Sequence, residues 1–324
     1  MSKCLWLAPL LLLMACQSRG VEVMENKHLA VEIVRPDSDS PHKGPRFEWC
    51  GMVRQVTLDG KHTFCRAVDK NVDKINDGCG LAEECAEPLG FDEAAEGGEF
   101  VKIGVGIMKK PNNAPYGFWI DYPVAQAPEF HRDVKGESVT CTQIVRGPRG
   151  WAYRYSKTVA LVGDEPVLTM AHRLENIGEK PIKTTQYNHN FMIFDGKPVG
   201  PSYSMRLKFR PTPETGTDVR GILQFTDDGL TYAKGFDGKP VFASIKGFGG
   251  DVAQNRIVVE NAETGTGVEI AGDFPLAKLH FFTTPAMICP EPFISLSLEP
   301  GQKQEWTRTY TFFAHPAVEG RRAR

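Results

Sequence analysis

Short runs of β-forming residues, each closed by Gly, Pro, Asn or Asp, recur along the whole of this 324-residue chain. LAVEIV, MVRQVTL, EFVKIGVGI, VTCTQIV, WAYRYSKTVALV, VLTMAHRLEN, YSMRLKF, RIVVEN, GVEIAG, KLHFFTT, FISLSLE and EWTRTYTFF carry the Val, Ile, Thr and aromatic content that suits a pleated, half-buried surface. Asp59-Gly60, Asp195-Gly196, Asp228-Gly229 and Asp237-Gly238 supply hairpin-type turns between them. In EWTRTYTFF, Trp306, Arg308, Tyr310 and Phe312 alternate with Thr307, Thr309 and Thr311, the period of a strand. No stretch holds a 3.6-residue apolar period long enough for a convincing helix. The expected fold is therefore all-β, a large antiparallel β-sandwich with very little helix. Composition does not break between residues 28 and 316, which are read as a single domain. Residues 66–99, rich in Asp, Glu, Gly and Cys, read as a long ordered loop.

The two ends stand apart. MSKCLWLAPLLLLMAC opens with Lys3 and continues as an apolar run too short to span a bilayer, so residues 1–15 are expected to be a signal peptide. Leu13-Met14-Ala15-Cys16 resembles the bacterial lipobox. That resemblance implies lipidation at Cys16, a tether over residues 16–27 and an exported lipoprotein. Gln17, where an Asp would signal inner-membrane retention, points to the outer membrane, on its periplasmic or surface face. Residues 317–324 read as a basic tail. No later segment is apolar enough to cross a membrane, so a lipid anchor is the expected membrane contact. A formal charge of −2 argues against nucleic acid as a partner.

Eight cysteines include Cys4 of the expected signal peptide and Cys16, the expected lipidation site. Export permits disulfides, and Cys79 with Cys85 is the expected pair. The connectivity of the rest stays open, with Cys50, Cys141 and Cys289 read as buried thiols. Cys-x-x-Cys spacing is absent, and no metal is expected.

The most unusual stretch is TTQYNHNFMIF, residues 184–194. Gln186, Asn188, His189 and Asn190 sit in what otherwise reads as buried strand, where each polar group must find a partner. They form either a structural network or the lining of a polar cavity.

Two segments carry a resemblance. In VLTMAHRLENIGEKPIKTTQYNHNFMIF, Asn176-Ile177-Gly178-Glu179-Lys180-Pro181 leads to a strand with Asn188-His189 and Phe191. In KLHFFTTPAMICPEPFISLSLEPGQKQEWTRTYTF, Glu291-Pro292 is followed by Leu298-Glu299-Pro300-Gly301. Together these resemble the aldose 1-epimerase (galactose mutarotase-like) family over roughly the last half of the chain. The N-terminal half departs from the family pattern. Lys102, Lys109 and Lys110 stand where an Arg strand is usual, His-Gly-Gly is absent, and YGFWIDYP fills its region.

The resemblance implies a cofactor-independent isomerase that interconverts sugar anomers. His189 would be the acid and Glu291 the base, on opposite sides of the ring. Gln186, Asn188 and Asn190 are then expected to line the sugar cleft, with Asn188 or Asn190 fixing hydroxyls or the imidazole. Arg46 is read as a ligand contact or an ion-pair partner, Lys102 and His280 as substrate contacts, and Trp119 with Phe118 as a stacking platform. Asp273 is left undecided between substrate contact and structure; His131 and His172 are read as structural or exposed. The expected partner is a monosaccharide or oligosaccharide. Two other readings stay open: another carbohydrate-active enzyme on the same sandwich, a lyase or an epimerase of a modified sugar, and a non-catalytic sugar-binding lipoprotein.

Overall fold

The computed structural model describes residues 20–36, 43–67 and 78–315. The expected signal peptide, Cys16 and the basic tail lie outside these residues. Strand dominates as the sequence implies; three single turns of 3-10 helix, Pro148–Gly150, Phe194–Gly196 and Val252–Gln254, are the helical elements among the described residues.

Two ten-stranded sheets form the body. The first runs from Val21–Glu25 through Leu29–Val34, Met52–Leu58, Leu81–Cys85, Ile182–Asn190, Met287–Leu298, Lys278–Thr284 and Val241–Lys246 to Thr212–Pro213, with His62–Thr63 paired off its path. The second centres on Val167–Asn176, Lys303–Ala314 and Thr266–Gly272. Neighbours in both pair antiparallel, as in Ile182–Asn190 with Met287–Leu298 and Val167–Asn176 with Lys303–Ala314. Alternate residues of each sheet meet in a shared apolar layer: Val31, Val56 and Leu81 from the first pack with Val159, Met170 and Tyr310 from the second. A small third sheet, Glu99–Lys102, Gly106–Lys109 and Val124–Gln126, stands beside them.

The Asn176–Pro181 segment is a turn with its own chemistry. Asn176 Nδ2 donates to Lys180 O at 2.8 Å and to Leu298 O at 3.0 Å, while its Oδ1 accepts from Gly178 N. A Cβ on Gly178 would lie 2.5 Å from Gly150 O, so only glycine fits. One asparagine thus ties the two motif segments together.

Three expectations are corrected. Residues 66–99 are not all loop: Leu81–Cys85 is a fully buried central strand, hidden from pattern reading by Glu83 and Glu84, whose charges are met by buried cations. The expected tether contains an edge strand, Val21–Glu25, paired along its length with Leu29–Val34. Cys79 and Cys85 form no disulfide; all six described cysteines are thiols. Cys79 packs with Met52 and Phe191, whereas Cys85 packs with Val101 and Tyr153 in a different apolar cluster.

Candidate active site

The pleat of Ile182–Asn190 sorts its polar residues onto two faces. Gln186, Asn188 and Asn190 point between the sheets. Gln186 Nε2 and Asn188 Nδ2 donate to Glu83 Oε1 at 3.0 and 2.8 Å. Asn188 Oδ1 accepts from Arg308 Nε at 2.9 Å. Asn190 donates to Pro290 O at 2.8 Å and accepts from Tyr310 OH at 2.9 Å. These three amides are core glue and not sugar contacts, which corrects the sequence reading. A one-residue offset along the strand separates them from the side chains that face the cleft.

Glu83 is the hub of that interior. Lys157 Nζ lies 2.7 Å from it and also bonds Glu48, and His172 Nε2 approaches at 2.9 Å. Burial alone would raise the Glu83 carboxyl, but His172 and Lys157 outweigh it and hold it well below the usual range. Glu48, with burial dominant over Lys157, is pushed up to about 8. His172 is thus structural, stacked flat on Trp306 with ring centroids 4.9 Å apart. Asp273 is also structural: its carboxylate accepts from Thr307 N at 2.8 Å.

On the other face stand Tyr187, His189 and Phe191. The register that pairs Tyr187 with Phe293 and bridges Met192 to Ile288 sets His189 opposite Glu291. Glu291 in turn pairs with His280 on its far side. One row across the sheet therefore reads His189, Glu291, His280; the next reads Glu84, Tyr187, Phe293, Lys278. These rows floor a cleft of about 670 Å³ walled by Arg46, Tyr116, Phe118, Trp119, Phe242 and Phe282.

His189 Nε2 lies 3.1 Å from Glu291 Oε1, and both side chains are almost wholly buried. Phe191 stacks on the imidazole and Phe47 meets it edge-on, fixing its plane. Burial, then the nearby Arg46 guanidinium, drives His189 well below the usual histidine value. Burial raises the Glu291 carboxyl to about 8, opposed by Arg46 and reinforced by Glu84. Near neutrality the pair therefore holds one proton.

Arg46 is held in place. Its Nε donates to Glu84 at 2.8 Å and its terminal nitrogen to Tyr187 OH at 2.9 Å, while the guanidinium lies over Phe47 and Phe118. Lys102, expected in the cleft, is behind it: fully buried, it bonds Glu84 at 2.8 Å, Ala86 O at 3.0 Å and Tyr116 OH at 3.0 Å. Burial would raise Glu84, but Lys102 and Arg46 win, and its pKa lies below the usual range.

No family model matches the chain, and no curated protein matches it. Solved structures do. A galactose mutarotase related enzyme from Lactobacillus acidophilus aligns at 13% identity over 92% of this chain and 98% of its own, with a TM-score of 0.57. An aldose epimerase homologue from C. elegans aligns at 13% over 92% and 99%, TM-score 0.55. A galactose mutarotase-like protein from Clostridium acetobutylicum aligns at 11% over 90% and 95%, TM-score 0.54. The fold is galactose mutarotase-like.

On this galactose mutarotase-like fold, the structure gathers four of the nominated residues at one cleft: His189, Glu291, His280 and Arg46. Trp119 joins them at the mouth, 62% exposed. The spacing of the central pair differs from expectation. His189 and Glu291 do not flank a sugar ring; strand pairing makes them touching neighbours, as cross-strand partners must be. Glu84, Tyr187 and Phe293 were missed. For Tyr187 the signal was present, because it lies two residues from His189 and must share its face. For Glu84 it was a pair of glutamates embedded in an apolar pentapeptide.

Proposed function

We propose that the cleft binds a sugar and that His189 and Glu291 interconvert its anomers by acid–base ring opening. The observation that carries this reading is the touching pair on the floor of an aromatic-walled cleft. The anomeric hydroxyl oxygen and the ring oxygen are both bonded to C1, so two adjacent groups reach both from one edge of the ring. The protonated member of the pair gives its proton to the ring oxygen. The C1–ring-oxygen bond breaks and its electron pair goes to that oxygen. The other member takes the hydroxyl proton as the C1 carbonyl forms. The pair thus ends with its proton moved from one partner to the other. Rotation about the C1–C2 bond and the reverse transfers close the other anomer. The directions of the two shifts leave the resting proton on Glu291 and His189 neutral, which makes Glu291 the first donor and His189 the first acceptor, the reverse of the roles the resemblance implies. Phe118, Trp119 and Phe242, each partly exposed, suit the apolar face of a sugar.

The test is NMR or polarimetric anomerisation across a panel of free sugars, with the rate followed against pH. Activity requires one proton on the pair. The rate is therefore expected to fall as pH rises through about 8, where Glu291 loses its proton, and again on the acid side, below the ordinary histidine range. Binding of a sugar without any acceleration of anomerisation would replace this reading with that of a sugar-binding protein. Export as a lipoprotein is part of the proposal, supported by the leader and the lipobox-like Cys16. Mass spectrometry of the mature N-terminus is expected to find a lipidated Cys16; an unmodified first residue elsewhere would remove the anchor.

A further inference from the structure

Cys289 plays no part in the chemistry above, yet it sits against it. It is fully buried, two residues before Glu291 on the same strand face, and its Sγ lies 2.7 Å from His189 Nδ1. One nitrogen of His189, Cys289 Sγ and one carboxylate oxygen of Glu291 all lie within 4.8 Å of one another. The pleat explains the convergence: Cys289 and Glu291 share a face by the strand period, and His189 is across from them. Zinc bonds of about 2.0–2.3 Å hold tetrahedral donors roughly 3.5 Å apart. In the metal-free arrangement Nδ1 faces Cys289 and Nε2 faces Glu291, so loading requires the Glu291 carboxylate or the imidazole to turn until one nitrogen, the sulfur and one carboxylate oxygen face a common ion.

We infer that His189, Cys289 and Glu291 form a three-ligand site for a zinc-class divalent cation, with the fourth position open to the cleft. Imidazole and thiolate together select zinc or cobalt over magnesium or calcium, which prefer all-oxygen cages. Three protein ligands with an open position are the pattern of accessible zinc sites, whereas closed structural sites use four. An alternative use of the three groups, Cys289 as a nucleophile served by His189, fails on access. Cys289 is fully buried at the Nδ1 edge of His189 and does not line the cleft, so no substrate carbon can reach its sulfur. An ion need only enter past His189 and Glu291, which do line it. Arg46 is the nearby cation that opposes such binding, and its charge is already met by Glu84. A bound ion occupies both partners of the proton shuttle. Insofar as the proposed anomerisation holds, the loaded form is its off state.

The test is titration of the metal-free full-length protein with Co²⁺, read by thiolate-to-cobalt charge-transfer absorption. The expected result is a band that saturates at one equivalent and disappears when Zn²⁺ is added. The band should be lost in Cys289→Ser and in His189→Asn, and kept in Cys85→Ser, whose thiol lies in another cluster. No saturable band, or one that survives in Cys289→Ser, overturns the site. Should Cys289→Ser fail to fold, His189→Asn alone decides: a band that survives in it overturns the site. The readout needs no sugar turnover, so its failure and the failure of the anomerisation reading are separable.

Discussion

Glu291→Gln and His189→Asn are each expected to slow anomerisation by about 10²–10⁴-fold, the range for general acid–base groups. The carboxamide of glutamine holds no mobile proton, and the asparagine cannot receive one. Because each half of ring opening needs both partners, the double variant should be scarcely slower than either single one. Folding should survive. Glu291 is carried largely protonated at neutral pH, so a neutral amide of the same shape replaces a neutral group. Rates from NMR line exchange and circular dichroism of each variant check this together. A Glu291→Gln protein near the wild-type rate would move the proposed chemistry elsewhere in the cleft, His280 being the other cross-strand neighbour of Glu291.

The largest stability effect should come from a residue that never meets substrate. Glu83→Ala removes the carboxylate that Lys157, His172, Gln186 and Asn188 all bond, with no solvent to replace it. Breaking one partner of a buried ion pair costs about 3–5 kcal/mol, a large share of the roughly 5–15 kcal/mol that holds a domain together. Denaturant unfolding should show the loss as a shifted midpoint. The companion variant Glu83→Gln with Lys157→Met should recover part of it, because both facing charges go together and burial already favours the neutral form of Glu48, the other partner of Lys157. A Glu83→Ala protein within about 1 kcal/mol of wild type, the ordinary mutational loss, would mean that water or rearranged side chains satisfy the network.

How far the sequence reached depends on what each residue type reports. The sandwich was legible because β-branched runs and Asx-Gly turns follow from local backbone preference, which tertiary contacts here reinforce. His189 and Glu291 were legible as a pair only through motif resemblance, since nothing local says that residues so distant in the chain are strand neighbours. Gln186, Asn188 and Asn190 were misplaced although the decisive rule was at hand. If His189 faces the cleft, its two neighbours must face away, and polarity alone does not reveal which face is wet. Leu81–Cys85 was hidden for the opposite reason. Two adjacent glutamates look like loop until Lys157 and Lys102, supplied from distant strands, neutralise one on each face. Long-range charge compensation leaves no local trace.

The cleft is built of two materials. Its floor hangs on Glu84, clamped by Arg46, Lys102 and Tyr187, and on strands whose reverse sides belong to the Glu83 network. Its rim is Phe118, Trp119, Phe242 and Lys278, side chains that lie open to solvent and touch the floor at single contacts: Phe118 on Arg46, Phe242 on His280 and Lys278 over Phe293. Natural selection can therefore alter the rim, and with it the ligands admitted, at little cost in folding. The floor has no such liberty, because each change there is also a change to the core. Descendants of such a chain should diverge at the rim long before they diverge at the floor.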